Sequence, residues 1–258
     1  MKVSLNPRKS VEENAAEYFE KSKKAKRKIE GAKKALEETR KKLSRIDELI
    51  KKEQEIQDRP ERKKEWYEKF RWFYTSDDML FIAGRDATTN EIIVKKHTEK
   101  NDLVFHSEMA GSPFGALKTE GRIPGEKAVR ECSQFIACYS KAWKGGSTIT
   151  DVFYVNPDQV TKEAPSGEYI GKGSFMIYGK KNIVTAELKL FIGKTNDGKI
   201  MPGPESAVKK HCKEYIQIRQ GDEKTSSLAK KLRAILNSDD LDDIIKVIPV
   251  GSALMQKR

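Results

Sequence analysis

The feature that most constrains the fold is a proline-free, highly charged segment over residues 10–57. It is rich in Lys, Glu and Ala, which are strong helix formers, and Gly31 is the one weak position inside it. A segment of this kind has no internal signal that would stop a helix. The sequence therefore predicts one long helix, about four times the length of an average globular helix.

A thin apolar stripe runs along this predicted helix. Its positions alternate in steps of four and three, as a coiled-coil seam requires: Ala25, Ile29, Ala32, Leu36, Thr39, Leu43, Ile46 and Ile50. Because several of these side chains are small, the stripe buries little apolar area. The helix therefore needs a second helix beside it to remain ordered. Pro60 ends the helix, and residues 61–70 are predicted to return antiparallel and bring Trp66 and Phe70 onto the seam. Self-association of two arms in a homodimeric coil is the competing arrangement.

The chain is strongly basic, with 51 Lys+Arg against 39 Asp+Glu and a formal net charge of +12. Residues 20–64 carry 18 Lys+Arg and 10 Asp+Glu, so the predicted arm has a basic surface. The positive electrostatic field of such a surface attracts phosphate backbones, although basic helices also occur simply as solvated surface. No stretch approaches the roughly 20 apolar residues that cross a bilayer, and no apolar signal core follows Met1. We therefore expect a soluble, cytoplasmic protein without a membrane partner.

After Arg71 the sequence changes to short β-rich runs separated by turns, which predicts an arm over residues 1–70 and a compact domain over residues 71–258. Strands are predicted at residues 72–75, 79–83, 103–106, 114–118, 151–155, 174–178, 187–192 and 215–219. Helices are predicted at residues 91–99, 126–143, 226–236 and 241–247, with a short one from Glu205. Because strands and long helices do not alternate strictly, the predicted class is α+β, a mixed or antiparallel sheet with packed helices behind a long helical arm.

The cysteines and histidines indicate no metal or cofactor. They are scattered and form neither a CxxC pair nor a zinc-ligand set: Cys132, Cys138, Cys212, His97, His106 and His211. Two of the cysteines lie on an apolar helical pattern, which predicts buried reduced thiols.

A Gly-Arg-Asp motif at residues 84–86 is a candidate RNA contact. It places Arg85 and Asp86 on a turn after a predicted strand, where they can bind a phosphate or a base edge. An internal Arg85–Asp86 pair that fixes the turn explains the motif equally well.

Two further basic motifs favour phosphate contacts over a solvated surface. Lys95, Lys96 and His97 place cations at a helix end, and Lys180 is followed by Lys181.

Residues 71–74 read Arg-Trp-Phe-Tyr, and on a strand Trp72 and Tyr74 share one face. Trp72 beside Arg71 is a candidate for stacking on a base, while burial in the core is the commoner role of such an aromatic ring.

The cluster His106, Ser107 and Glu108 is the one group in the sequence that resembles a set of general acid–base catalytic residues. It supports an alternative hypothesis, a metal-dependent RNA-processing enzyme that would use His106 and Glu108 with Asp86 or Asp102. A third hypothesis is a coiled-coil interaction scaffold whose charges are incidental.

Several longer blocks of the sequence stand out: Lys69-Phe70-Arg71-Trp72-Phe73, Gly84-Arg85-Asp86 with Asn90, Val94-Lys95-Lys96-His97, Ala142-Trp143, Pro157-x-Gln159-Val160-x-Lys162, Pro165-Ser166-Gly167-Glu168-Tyr169 and Gly173-Ser174-Phe175-Met176-Ile177-x-Gly179-Lys180-Lys181. Together these blocks resemble the NFACT-R domain, an RNA-binding domain. The start of the arm, Ser10-Val11-Glu12-Glu13-Asn14-Ala15, is similar to the middle coiled coil that precedes this domain in archaeal members. Because the blocks are long, ordered and irregular in composition, their joint occurrence is more specific than any short motif.

The resemblance implies a ribosome-associated quality-control factor that acts on stalled large subunits with peptidyl-tRNA and has no catalytic role of its own. The implied partners are the large ribosomal subunit, through rRNA and a stalk-base protein, and tRNA. Full-length members begin with an NFACT-N domain, which we expect this sequence to lack, as a fragment or a split protein would. The motifs and the resemblance together nominate these RNA-binding residues: Arg71, Trp72, Arg85, Asp86, Lys95, Lys96, His97, His106, Lys118, Lys162, Lys172, Lys180 and Lys181.

Overall fold

The computed structural model describes residues 3–57, 64–109, 111–163, 169–238 and 240–256, with the backbone alone for Arg45 and residues 47–57. The chain divides into two units, Met1–Lys63 and Lys64–Arg258. None of the described helices combines the length and apolar character needed to cross a lipid bilayer.

The first unit is built on the predicted long helix, α1 (Val11–Gln57), which is confirmed. A capping box begins it: the Glu13 backbone N–H donates to Ser10 Oγ at 3.1 Å, and the Ser10 N–H donates to the Glu13 carboxylate at 2.9 Å. The apolar stripe is about half exposed at Ile29, Leu36 and Leu43. The helix therefore carries an open apolar seam between charged faces.

The predicted helical return after Pro60 is wrong for Phe70. Residues 58–63 lie outside the described part of the chain. Trp66–Lys69 form a short 3-10 helix of the second unit, and Phe70 is completely buried in the hydrophobic core of that unit. The sequence pattern failed here because an aromatic residue at helical spacing can serve a globular core as well as a seam. Self-association through the arm stays a prediction.

The second unit carries the remaining elements. In chain order they are the 3-10 helix just described, β1 (Arg71–Tyr74), β2 (Leu80–Ala83), α2 (Ala87–Lys96), β3 (Leu103–His106), β4 (Gly115–Leu117), α3 (Glu126–Cys138), α4 (Lys141–Lys144), β5 (Ile149–Val155), a second 3-10 helix (Pro157–Gln159), β6 (Val160–Thr161), β7 (Met176–Ile177), β8 (Asn182–Glu187), β9 (Leu190–Thr195), β10 (Ile200–Gly203), α5 (Glu205–His211), β11 (Cys212–Gln220), α6 (Thr225–Ile235), α7 (Leu241–Val247) and β12 (Ala253–Met255).

Among the described residues, the strands form a six-stranded sheet in the order β1-β2-β4-β3-β5-β8, a four-stranded sheet in the order β10-β9-β11-β12 and a small β6-β7 ladder. Neighbouring strands in these sheets pair antiparallel. Helix α3 packs its apolar face on the large sheet, where Phe135 stacks on Phe73 with ring centroids 4.7 Å apart. The α+β class with a long N-terminal helix is confirmed.

Helix α2 begins four residues before the helix predicted from residue 91, and two other predicted elements each prove to span two elements. The single helix predicted over residues 126–143 is two helices, because Ser140 caps α4 by accepting a hydrogen bond from the Ala142 backbone N–H at 3.2 Å. The strand predicted over residues 187–192 is the end of β8 and the start of β9, which belong to different sheets. Both errors arise where an apolar run crosses from one element to the next.

The centre of the large sheet tests this packing, because Gly115 of β4 faces two buried side chains. A Cβ at Gly115 would lie 2.4 Å from Phe81 Cζ and 3.0 Å from Ile136 Cδ1. We expect Gly115→Ala to lower the free energy of unfolding by about 1–3 kcal/mol, measured by urea denaturation. Gly171→Ala, whose Cβ would meet nothing within 4 Å, is the control and should change stability by less than about 0.5 kcal/mol. Equal stability of the two variants would contradict this packing.

Candidate nucleic-acid interface

A cleft of about 680 Å³ opens in the second unit between the start of β1, the β2–α2 turn, α4 and the loop around Gly173. Its volume is in the range of small-molecule sites, so it can admit a group of nucleotide size. Five cationic side chains line it: Arg71, Arg85, Lys141, Lys144 and Lys172. The acidic residues in its lining are Asp86 and Glu108, and Glu108 pairs with Lys181 at 2.7 Å.

The turn at residues 84–86 is fixed by a reciprocal cap on α2. The Thr89 backbone N–H donates to the Asp86 carboxylate at 2.8 Å, and Thr89 Oγ1 accepts from the backbone N–H groups of Arg85 and Asp86 at 2.8 and 2.9 Å. The bond from the Thr89 backbone lowers the pKa of Asp86. The Asp86 carboxylate is therefore committed to the helix cap, and no Arg85–Asp86 ion pair forms within the described residues.

Gly84 is required at this turn because the backbone passes very close to a buried amide. A Cβ at Gly84 would lie 1.8 Å from Asn90 Oδ1, which accepts a hydrogen bond from the Phe114 backbone N–H at 3.1 Å. The Gly84 N–H in turn donates to the Phe114 carbonyl at 2.9 Å. The turn is thereby joined to the segment that enters β4.

Arg71 forms one wall of the cleft without a carboxylate partner. Its guanidinium donates to the Gly84 carbonyl and lies over the Tyr139 ring at 4.7 Å, while its Nε has no hydrogen-bond partner. Burial lowers the pKa of Arg71, and Tyr139 opposes that shift. Because a guanidinium stays protonated in proteins, this is a charge held in a poorly solvated place.

Arg85 is arranged in the same way on the adjoining wall. Its Nη2 donates to the carbonyls of Glu68 and Phe70 at 3.2 and 2.9 Å, and its Nε is buried without a partner. Burial lowers the pKa of Arg85 as well. Across the described ranges, no carboxylate lies within ion-pair distance of Arg71 or Arg85, and Asp86 acts on both charges only at longer range.

Lys172 reaches the cleft on a loop that Lys162 and Glu91 hold in place. Lys162 Nζ lies 2.8 Å from the Glu91 carboxylate and donates to the Gly171 carbonyl at 2.7 Å, while the Gly173 N–H donates to Glu91 at 3.1 Å. Gly173 has φ +77°, and a Cβ there would lie 2.4 Å from Ala87 Cα. The contacts of Lys162 thus fix the conformation of the loop. Lys172, on the same loop, remains exposed at the cleft.

Sequence reasoning missed Lys141 and Lys144 of α4. The helix is anchored by Trp143, whose Nε1 donates to the Ser252 carbonyl at 3.0 Å, and the two lysines are exposed three positions apart. The signal that could have found them is a basic pair around a buried tryptophan. Their place in the cleft depends on tertiary packing that no local pattern encodes.

Several nominated residues lie outside the cleft. Trp72 is only 5% exposed and packs against Tyr67 at 4.9 Å, so its ring has little surface for a base. Lys95, Lys96 and His97 lie at the far end of α2 from the cleft. In a second groove, along β8, the nominated residues are Lys180 and Lys181, and the latter also lies over the Phe153 ring at 4.7 Å.

Each residue of the RNA-processing hypothesis already makes a contact that commits its side chain to another role. His106 stacks on Phe114 with centroids 3.9 Å apart, and its Nδ1–H donates to the Pro113 carbonyl at 3.0 Å. Burial lowers the pKa of His106. Asp102 is bound to the ammonium of Lys118. Over the described part of the chain, no group of three or more His, Cys, Asp or Glu side chains could hold a metal ion.

The three cysteines are buried and free, and burial was predicted for Cys132 and Cys138 from their apolar helical pattern. Burial raises the pKa of Cys132 and Cys138, and it raises that of Cys212 to about 12. Thiols in this state are poor nucleophiles and poor metal ligands.

Both units of the chain match models of known protein families. Residues 69–179 match the model of the NFACT protein RNA binding domain, and residues 1–68 match the model of the NFACT N-terminal and middle domains. The second match agrees with the resemblance of the arm to a middle coiled coil.

Two similar relatives each align with more than three quarters of this chain. The chain is 36% identical over 206 residues to the archaeal Rqc2 homolog aRqcH of Methanocaldococcus jannaschii, which covers 78% of this chain and 30% of that protein. It is 34% identical over 232 residues to the ribosome quality control complex subunit NEMF of Homo sapiens, with coverages of 88% and 21%. The chain thus spans less than a third of each relative. A solved structure of the C-terminal of the fibronectin/fibrinogen-binding protein from Streptococcus suis is 20% identical, covers 68% of this chain and 76% of that one, and has a TM-score of 0.40.

Lys118 was nominated as an RNA contact, yet its surroundings predict a structural role. Its Nζ contacts Asp102, which is 1% exposed, and donates to the His97 carbonyl at 3.1 Å. We expect Lys118→Ala to lower the free energy of unfolding by about 3–5 kcal/mol, because it leaves a buried carboxylate without its counter-charge. Lys100→Ala, at an exposed neighbouring lysine, is the control for thermal denaturation. A stable Lys118→Ala variant with weakened RNA binding would instead support a direct contact.

Proposed function

Because this chain belongs to the NFACT family, we propose that it is the RNA-binding part of a ribosome-associated quality-control factor and that its cleft holds RNA phosphates. The residues that match the RNA binding domain model include all five cationic residues of the cleft. The names of the relatives, an Rqc2 homolog and NEMF, support the assignment to ribosome quality control. The role we propose is binding, without catalysis by this chain.

The observation that carries the proposal is the state of Arg71 and Arg85. Each guanidinium is buried enough to lower its pKa, each donates hydrogen bonds only to backbone carbonyls among the described residues, and each has an unpartnered Nε. A cation in this state gains strongly from a charge-assisted bond to a phosphate oxygen. The exposed lysines at the rim add long-range attraction.

The shape of the cleft favours an irregular or single-stranded segment of RNA. Its walls are a helix cap, a glycine-rich loop and a one-turn helix, and none presents an extended flat surface for a duplex. Proteins read single-stranded loops and ends by stacking and by contacts to splayed bases and phosphates. We propose tRNA, and rRNA of the large subunit, as the RNAs that supply such a segment.

The arm supplies a second basic surface. Its exposed apolar seam and its excess of Lys and Arg suit contact with a ribonucleoprotein, and we propose the stalk base of the large subunit as that contact. An NFACT-N domain in the complete protein and self-association through the seam are further proposals, since this chain covers only part of its relatives.

The cleft can be tested by removing its lysines. We expect the triple variant Lys141→Ala, Lys144→Ala and Lys172→Ala to bind labelled tRNA more weakly in fluorescence anisotropy. Each lost phosphate contact should reduce the slope of log affinity against log salt by about 0.7–0.9.

A matched control separates the cleft from the general positive field. The triple variant Lys209→Ala, Lys230→Ala and Lys231→Ala removes the same charge from α5 and α6, neither of which lines the cleft. An equal loss of affinity in the control would show that net charge, and not the cleft, holds the RNA.

The ribosomal assignment has its own test. We expect crosslinking of this chain to purified ribosomal particles to recover large-subunit RNA, with less recovered by the cleft variant. Recovery of small-subunit RNA alone would contradict the proposed partner.

A further inference from the structure

An aromatic stack lies on the surface of the second unit, away from the cleft. Trp66 is 44% exposed, and one face of its ring lies on the His97 imidazole with centroids 4.7 Å apart and planes inclined by 14°. The edges of Tyr67 and Phe70 approach it at 5.8 and 6.5 Å. A tryptophan that leaves nearly half of its surface exposed is unusual, because this residue is highly buried on average.

The stack is held rigidly by its own segment. The Glu65 N–H donates to the Glu68 carboxylate at 2.8 Å, which caps the 3-10 helix. Arg85 then ties the carbonyls of Glu68 and Phe70 to the wall of the cleft. The ring of Trp66 is therefore presented in a fixed position, and little rotamer entropy is lost when a ligand covers it.

His97 completes the stack as a neutral ring. Its backbone N–H caps α2 by donating to the Ile93 carbonyl at 3.0 Å. Burial lowers the pKa of His97, and Lys69, Lys118 and Lys96 lower it further. At neutral pH the imidazole is uncharged and offers Trp66 a flat aromatic support.

Two exposed cations flank this aromatic surface. Lys69 and Lys96 act electrostatically on His97, and neither pairs with a carboxylate within the described stretches of the chain. Lys69 also lies over the Phe70 ring at 5.0 Å. The core of a protein–protein interface is depleted in charged residues, whereas an aromatic face beside two lysines without carboxylate partners suits a base with its phosphates.

We propose that the Trp66–His97 stack is a second RNA site, where an unpaired base stacks on the open face of Trp66 while Lys69 and Lys96 contact the adjoining phosphates. This inference rests on the proposed function, since it assumes that the chain binds RNA. The RNA must then have an unpaired nucleotide that lies outside the cleft when it is bound.

Helix α2 sets the distance between the two sites. Asp86 and Ala87 line the cleft at its N-terminus, and His97 caps its C-terminus. Ten residues of α-helix span about 15 Å, which a few nucleotides of single strand can cross. One RNA segment can therefore occupy both sites.

Tryptophan fluorescence reports on this site directly. The chain has three tryptophans, and Trp72 and Trp143 are 5% and 1% exposed, so Trp66 is the one a base can cover. We expect titration of the full chain with a single-stranded RNA oligonucleotide to quench the emission. A duplex of the same sequence, whose bases are already stacked, should bind with much less quenching.

Substitutions separate stacking from folding. Trp66→Phe should abolish the quenching and change affinity by no more than about twofold, because a smaller aromatic ring still stacks. Trp66→Ala should weaken single-strand binding about tenfold, which is about 1.4 kcal/mol, at a temperature where circular dichroism shows that the variant is still folded.

Other outcomes would overturn the inference in distinguishable ways. Binding of the wild-type chain to RNA without quenching, or quenching that persists in Trp66→Phe, would refute the stack and leave the cleft intact. Failure of the wild-type chain to bind RNA at all would refute the proposed function, and this inference with it.

Discussion

The interaction on which the site depends is the binding of two arginines to backbone carbonyls where carboxylates would be expected. Arg71 ties the start of β1 to the Gly84 carbonyl, and Arg85 ties the β2–α2 turn to the carbonyls of Glu68 and Phe70. Carbonyl dipoles satisfy the donors of a guanidinium and leave its net charge in place. The same contacts that assemble the walls of the cleft therefore preserve the charge that an RNA phosphate would neutralise.

This arrangement joins the two proposed RNA sites through one short segment. Arg85 lines the cleft through its own side chain and, through the carbonyls of Glu68 and Phe70, holds the segment that presents Trp66. A buried cation without an anion costs free energy, so a ligand that supplies the anion stabilises the bound form. Both arginines line the cleft, where the phosphates of a bound polyanion can offset this free-energy cost.

The sequence predicted the elements whose pattern is local and failed where a residue's role depends on a distant partner. Short β-rich runs separated by a turn located β1 and β2, and helical spacing located α7. Lys118 resembled a surface cation because its partner Asp102 contacts it only after the strands pair. Trp66, read as part of a coiled-coil seam, rests on His97, more than two turns of helix and two strands later in the chain.

The lysines of this chain divide into two groups that composition cannot separate. Lys118 and Lys162 pair with carboxylates and fix the structure around them, and Lys181 pairs with the exposed Glu108. These three lysines therefore contribute little to the external field. Lys141 and Lys172 meet none within the described residues and converge with the arginines on one cleft. A net charge of +12 therefore shows that the chain attracts polyanions, whereas the pairing of each cation shows where a polyanion can bind. Only the tertiary structure distinguishes a lysine that stabilises a loop from one that the loop presents to RNA.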